Sequence, residues 1–275
     1  MDPEIIGNRP KNSASTVVTL VVILLLIGLS WRSCWYATPM DDATMTHILS
    51  GKGSDGDIQK ALLQIQSRGE KGDDSVQEHY EAVVGLADHP TSQIRSTVAW
   101  LMGAQPGVAS FEAPLRRLLD DSALAVRQNA ALGLANRGDA SVRPLLLSML
   151  EKHEIRSEWK GVLEDPRAPK SAVRVGQIVA RVVAEDGRHD VLAPIDGTIS
   201  SRRLAHGDPV DVGTLLLVLE PSVSQITNAV VALGRVGTKD DISVLRELIE
   251  GPRPLSDDAR RYAAKVLQSL QSRED

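Results

Sequence analysis

The polar and apolar positions divide the chain into three kinds of pattern. Residues 14–31 form an uncharged and almost wholly apolar run, near the minimum length of a helix that spans a bilayer. From about Asp57 the apolar residues recur at helical spacing, interrupted by turn signals such as RGEKGDD, DHPTS and AQPGV. Between 155 and 221 the pattern changes to β-branched alternation with Asp-Gly and Gly-Asp turns. We therefore expect a multidomain protein with separate α and β parts.

The apolar run predicts a retained transmembrane anchor over 14–36, in contact with the lipid bilayer, rather than a cleaved signal peptide. No small-residue cleavage pattern follows the run closely, and Trp-Arg-Ser before Cys34 is not a lipobox. The aromatic residues that follow are those of an interfacial belt: Trp31, Trp35 and Tyr36. Acylation of Cys34 is an alternative to an idle thiol.

The charges beside the run predict its orientation. Arg9 and Lys11 precede it, and only Arg32 follows directly. The positive-inside rule then predicts a cytoplasmic tail over 1–13 and an exported body. In a bacterium this is a single-pass protein of the inner membrane whose C-terminal body is periplasmic.

The helical stretch repeats itself. IRSTVAWLMG at 94–103 aligns with VRQNAALGLA at 126–135, which is 32 positions further on, and a second amphipathic helix follows each copy. Later segments fit the same template at a shift of 34, from Leu233 to Leu267. Paired helices at such a period predict an α-solenoid, with an unrelated helical bundle as the alternative.

The repeated motif, an apolar residue and Arg followed by small residues and then LLxxL, resembles HEAT repeats in the short bacterial form of phycobilin-lyase-like proteins. The resemblance covers roughly 57–150 and 222–271. It implies close helix packing through the small residues. It also implies that Arg95 and Arg127 have a structural role, in which they bond carbonyls or acids of the neighbouring turn.

The β stretch interrupts the solenoid and is itself duplicated. Val173-Arg-Val-Gly recurs as Val210-Asp-Val-Gly, and Gly161-Val-Leu recurs as Gly197-Thr-Ile. Two similar halves of short strands predict an all-β barrel-sandwich hybrid domain. The alternative is that its first part, LEDPRAPKSAVRVGQIVARV, forms another HEAT helix pair.

The motifs VRVGQIVARV and VLAPIDGTISSRRLAHGDPVDVGTLLLVLEP resemble the biotinyl/lipoyl carrier domains. In the register set by Gly176 and Pro194, Asp186 stands where that family has its modified lysine, and the nearest lysine is Lys170. Because a carrier holds its cofactor through an amide to a primary amine, we expect no bound cofactor. The hairpin tip remains a candidate interaction site, with a simple turn as the alternative: Asp186, Gly187, Arg188 and His189.

Other chemistry is weakly represented. The net charge is −5, with Lys and Arg scattered among acids, so no nucleic-acid partner is expected. One cysteine and six scattered histidines lack metal-ligand spacing, and nucleotide-binding or nucleophile motifs are absent from the sequence. His47 near Met40 and Met45 is a weak copper motif within a predicted linker. We therefore expect neither catalytic residues nor metal ligands.

The predicted order is tail 1–13, anchor 14–36, linker 37–56, HEAT-like repeats 57–152, β domain 153–221 and HEAT-like repeats 222–275. The predicted function is a non-catalytic membrane-anchored scaffold or accessory subunit, whose solenoid and β domain bind integral membrane subunits of a larger complex. One alternative is a degenerate periplasmic adaptor of efflux or secretion systems, although the helical hairpin of adaptors is missing. The other is a HEAT-type lyase-like enzyme, which requires acidic, aromatic and basic residues clustered on the concave face.

Overall fold

The computed structural model describes residues 39–251 and 255–272. The predicted tail 1–13, the predicted anchor 14–36 and Cys34 lie outside these ranges. Within them, no helix combines the length and the apolar character that a bilayer span requires.

The helices fall into two groups separated in sequence by the strands. In chain order they are α1 (Asp42–His47), α2 (Asp55–Glu70), α3 (Tyr80–Gly85), α4 (Ser92–Ala104), α5 (Glu112–Leu118), α6 (Leu124–Ala135), α7 (Arg143–Ser148), α8 (Val223–Val236), α9 (Ile242–Glu250) and α10 (Asp257–Gln271). A π-helical turn covers Ile48–Lys52, and short 3₁₀ turns cover Asp74–His79, Leu86–Asp88, Ala109–Phe111, Ala140–Val142 and Lys239–Asp241.

The predicted α-solenoid is confirmed. Helices α2, α4, α6, α8 and α10 pack one against the next, and α5, α7 and α9 lie behind them as a second layer. Apolar residues from both groups of helices share one continuous core. Helix α8 packs directly on α6 and α7, so the solenoid continues across the inserted strands as though they were absent.

Small residues let α4 and α6 meet at backbone distance. A Cβ added to Gly103 would lie 2.8 Å from the Cα of Gly133, so any side chain there clashes with main chain. Two asparagines tie the helices together. Asn129 of α6 donates to the Ser96 carbonyl at 3.0 Å, and Asn136, which follows α6 directly, donates to the Gly103 carbonyl at 3.1 Å. The paired glycines and amides set the spacing of the repeats.

The two repeat arginines bind the turns that separate successive repeats. Arg95 makes a bidentate pair with Asp121, at 2.6 and 2.8 Å, and also donates to the His89 carbonyl at 2.8 Å. Arg127 donates to the carbonyls of Asp121 and Ser122 at 2.6 and 2.9 Å. Each guanidinium thus closes the turn that precedes its own helix.

The Arg95–Asp121 pair makes stability depend on pH. Hydrogen bonds from Arg95 hold the pKa of Asp121 below its ordinary 3.8, against the opposing effect of burial. Since the folded pKa is the lower one, the pair's contribution is full above the ordinary value and is lost as the pH falls through the folded value. Urea unfolding measured from pH ~5 down to ~2 should show a decrease in the free energy of unfolding, and this decrease should be smaller in Asp121→Asn than in the wild type. An unchanged slope in the variant would contradict this.

The inserted strands form two four-stranded antiparallel sheets. The strands are β1 (His153–Arg156), β2 (Gly161–Glu164), β3 (Ala172–Val173), β4 (Ile178–Ala184), β5 (Gly187–Leu192), β6 (Gly197–Arg202), β7 (Pro209–Val210) and β8 (Leu215–Pro221). Their orders are β1-β8-β6-β3 and β5-β4-β2-β7, around one shared apolar core. An all-β domain is therefore present. Neither sheet closes on itself into a barrel, and the finer likeness to a barrel-sandwich hybrid stays a prediction.

The strand pairing follows the duplication in the sequence. Gly161 of β2 pairs with Val210 of β7, and Gly197 of β6 pairs with Val173 of β3. Each half therefore gives one short strand to the sheet of the other half. At both glycines an added Cβ would lie within 2.3 Å of a carbonyl oxygen of the neighbouring strand, which explains why the same residue occurs at both positions.

The segment 37–56, predicted as a linker, has structure in its described part. Helix α1 and the π-helical turn lie here, and Met45, Ile48 and Leu49 enter the helical core. Their three-to-four spacing is that of one helix face. Met45 is fully buried, which makes it a core residue.

Candidate functional site

The hairpin tip lies between β4 and β5. Asp186 occupies the turn, and its Oδ1 lies 2.8 Å from Nε2 of His189. This hydrogen bond lowers the pKa of Asp186 below its ordinary value. The His189 ring stacks on Trp159 with centroids 4.6 Å apart. Gly187 follows the turn at φ 138°, a conformation that favours glycine.

Arg188 bonds within its own domain as well. Its guanidinium pairs with Glu164 at 2.9 Å and with Asp165 at 3.3 Å. Lys170 lies outside the hairpin, in the turn before β3, where its backbone N–H donates to the Ile199 carbonyl at 2.7 Å. The four tip residues are therefore brought together, but three of their side chains are engaged in contacts within the β domain.

A larger site lies where the β domain approaches the solenoid. Two adjoining cavities of about 390 and 710 Å³ open between helices α4, α6 and α8 on one side and the β domain on the other. We call this space the interdomain cleft. Its solenoid wall carries a set of uncharged polar side chains, namely Gln93, Ser96, Gln128, Asn129, Gln225 and Asn228.

The polar wall is held in place by bonds between helices. Gln225 of α8 donates to Gln128 of α6 at 3.2 Å, and this bond joins the helices on either side of the inserted domain. The amide of Asn129 is fixed on Ser96. Trp100 projects beside them in the smaller cavity and remains 43% exposed. The wall thus offers amide groups and one aromatic face.

The larger cavity contains most of the charged groups of the cleft. Arg127, Glu151, Lys152 and His153 lie along it, with apolar residues of the β domain opposite. Burial, reinforced by the nearby charge of Arg127, lowers the pKa of His153 below 6.5. The imidazole is therefore neutral at pH 7 and can accept a proton. A titratable group whose pKa is shifted by burial and a nearby charge, inside a cleft, marks a candidate functional site.

The β-domain wall is also rigid. The carboxylate of Asp196 accepts from the backbone N–H of Val175 at 2.7 Å, and its carbonyl accepts from that of Ser222 at 3.0 Å. These bonds link the loop before β6 to the start of α8. The cleft is therefore bounded on both sides by hydrogen-bonded elements.

Sequence reasoning missed most of this site. It assigned Arg127 a structural role only, which its two carbonyl bonds fit, but the same residue also lines the larger cavity. His153 starts β1 and Trp100 lies on α4, and they line the larger and the smaller cavity respectively, so their place in one cleft depends on how the β domain is placed. No motif in the sequence signals that placement.

Comparison with known proteins supports the helical part. Residues 69–159 match the family model for HEAT repeats. None of the curated proteins matches the chain in sequence. Among solved structures, the complex of CpcE and CpcF of phycocyanin lyase from Nostoc sp. is 15% identical with a TM-score of 0.44, and covers 86% of this chain and 68% of that one. A single-chain, multi-domain long-chain acyl-CoA carboxylase is 19% identical with a TM-score of 0.25, and covers 49% of this chain and 14% of that one.

One prediction is corrected by these neighbours. The chain was expected to be no enzyme, whereas a structure similar to it is a lyase, and the expectation of a non-enzyme is therefore withdrawn. A TM-score of 0.44 transfers neither a fold nor a reaction to this chain. What the interdomain cleft does has to be argued from its own residues.

Proposed function

We propose that this chain is a lyase-like HEAT protein that binds a planar, carboxylate-bearing molecule in the interdomain cleft. The observation that carries the proposal is the set of groups that line the two adjoining cavities: a neutral His153 and the Arg127 guanidinium in the larger one, and Trp100 beside the amide-lined wall of the smaller one. A lyase-like protein is expected to cluster acidic, aromatic and basic residues, and Glu151, Trp100 and Arg127 line the two cavities. The two cavities are of the size of small-molecule sites.

Each group has a distinct task in such a reaction. Arg127 pairs with a carboxylate of the ligand, for which a guanidinium is well suited. Trp100 stacks on its planar body, and Gln128 and Asn129 bond its polar edges. His153 accepts the proton of an attacking group, while the double bond of the ligand gains that group and a proton from solvent. Run in reverse, the same steps eliminate the group.

Binding of biliverdin, an open-chain tetrapyrrole with two carboxylates, tests the site. Titration of the full-length protein should give saturable changes in visible absorption. Arg127→Gln should weaken binding about tenfold to a hundredfold, the value of a charge-assisted hydrogen bond. Trp100→Ala should also weaken it, whereas Arg117→Gln, on the second layer of helices, should not.

Folding and proton transfer need their own controls. Because Arg127 also bonds two carbonyls, the thermal midpoint of each variant is measured alongside its affinity. His153→Gln should leave biliverdin binding largely intact but abolish addition of a thiol to the bound ligand. Equal affinity in wild type and Arg127→Gln, with both folded, would rule out the cleft as the binding site.

The β domain enters the proposal as a carrier-like domain without its lysine. Its support is the duplicated strand pairing and the presence of Asp186 at the tip of the β4–β5 hairpin. In this role it closes the interdomain cleft and carries no group of its own. The variant Asp186→Lys, incubated with a biotin or lipoyl ligase, tests the likeness to carrier domains. If the hairpin tip is carrier-like, the ligase should modify the new lysine.

The membrane location remains a proposal as well. It rests on the apolar run at 14–31 and on the charges beside it. A cysteine introduced at Ser243, on α9, should react with an impermeant maleimide before the inner membrane is permeabilised. Reaction only afterwards would reverse the proposed orientation.

A further inference from the structure

Three metal-ligating side chains converge at the start of the solenoid, away from the interdomain cleft. Asp42 begins α1, while Glu78 and His79 end the 3₁₀ turn that leads into α3. One ligand atom from each lies within 4.8 Å of the other two. The His79 side chain is only 2% exposed, and its Nε2 has no hydrogen-bond partner among the described residues. A buried polar atom without a partner is costly, so this nitrogen calls for a ligand.

The distances distinguish a metal site from a hydrogen-bonded cluster. Nε2 of His79 lies 3.6 Å from Asp42 Oδ1 and 3.6 Å from Glu78 Oε1. This is too long for a hydrogen bond. It is close to the separation of roughly 3.4 Å between two ligands bonded to a tetrahedral zinc ion at about 2.1 Å. We propose that Asp42, Glu78 and His79 bind a divalent transition-metal ion, with Zn²⁺ as the expected occupant.

The surroundings position the first carboxylate. Arg68 donates to Asp42 at 2.6 Å and to Asp73 at 2.7 Å, and its hydrogen bond holds the pKa of Asp42 below the ordinary value. A ligating carboxylate is commonly fixed in this way by an outer hydrogen bond. The Arg68 charge is balanced by Asp73, so the two carboxylates of the site retain their attraction for a cation.

The donor set selects the class of metal. One imidazole and two carboxylates suit Zn²⁺ and similar ions, whereas Ca²⁺ and Mg²⁺ prefer oxygen donors alone. Three protein ligands leave a fourth position for water, as in zinc sites that perform chemistry. Asp42 and Glu78 are about half exposed, so water and small molecules reach that position.

Zn²⁺ titration of the full-length protein against a fluorescent chelator tests the site. Wild type should bind one equivalent. Glu78→Gln and Asp42→Asn should each weaken binding by at least about tenfold. Glu81→Gln is the matched control, since it removes an exposed carboxylate three residues further on. These variants avoid the buried histidine, whose replacement endangers the fold.

Co²⁺ provides a second readout that does not depend on affinity. A four-coordinate site of this kind gives intense visible absorption bands, which Glu78→Gln should abolish and Glu81→Gln should preserve. Absence of saturable Zn²⁺ binding would overturn the proposal. Binding of equal strength in wild type and Glu78→Gln would also overturn it, because the ion would then be bound elsewhere.

Discussion

Gly103→Val is expected to lower the free energy of unfolding by about 3 kcal/mol, the upper end of the usual cost of overpacking a core. The reason is that the first added atom already meets main chain. A Cβ at Gly103 would lie 2.8 Å from the Gly133 Cα and 3.3 Å from its nitrogen. Backbone cannot rotate away as a side chain does, so α4 and α6 have to separate. Urea denaturation followed by circular dichroism measures the loss.

Gly85→Val is the matched control for this experiment. Gly85 ends α3, and nothing lies within 4 Å of a Cβ built there. Its substitution should change the free energy of unfolding by no more than about 0.5 kcal/mol, as for other exposed positions. Similar losses in both variants would show that helix propensity, and not the contact of α4 with α6, decides the outcome.

Asp241→Ala should cost about 3 kcal/mol, the lower end of the usual result of removing one partner of a buried ion pair, because the Arg143 side chain keeps partial contact with solvent. The Asp241 side chain is 1% exposed and receives Nε of Arg143 at 2.9 and 2.8 Å on its two oxygens. It also accepts the backbone N–H of Thr238 at 2.9 Å. The variant leaves both donors without this acceptor and leaves a cavity at the entry to α9. Thermal and urea unfolding both report the loss.

The adjacent Asp240 separates burial from charge. Asp240 also faces Arg143, at 3.7 Å, but its side chain is 83% exposed. Asp240→Ala removes the same charge and should cost at most about 1 kcal/mol, as for other exposed pairs. If the two variants lost equal stability, the loss would come from the removed charge alone, and the buried hydrogen bonds of Asp241 would not contribute.

Features that depend on local repetition were predictable from the sequence. The shift between 94–103 and 126–135 predicts stacked helices, because each repeat can bury its apolar face only against its neighbours. The strand character of the insertion followed from its alternation and turns. The recurrence of Gly161 at Gly197 had a physical cause, since both positions require close approach of a neighbouring strand.

Features that depend on how elements are placed in space were not predictable. Open sheets and a closed barrel have the same alternation, so closure is decided by which edge strands pair. The cleft groups Trp100 and His153 come from different domains. Asp42 lies 36 positions before Glu78, in a segment whose composition is typical of linkers. No single-sequence motif brings such residues together.

The first and last strands of the inserted domain are neighbours, since His153 of β1 pairs with Leu219 of β8. The chain therefore leaves the solenoid and returns to it at almost the same point. An inserted domain whose two ends are adjacent does not force apart the helices on either side of it. A domain of any size can therefore occupy this position. Helix α8 can therefore stack on α6 and α7 with or without the inserted domain, while the cleft, which needs both walls, exists only when that domain is present.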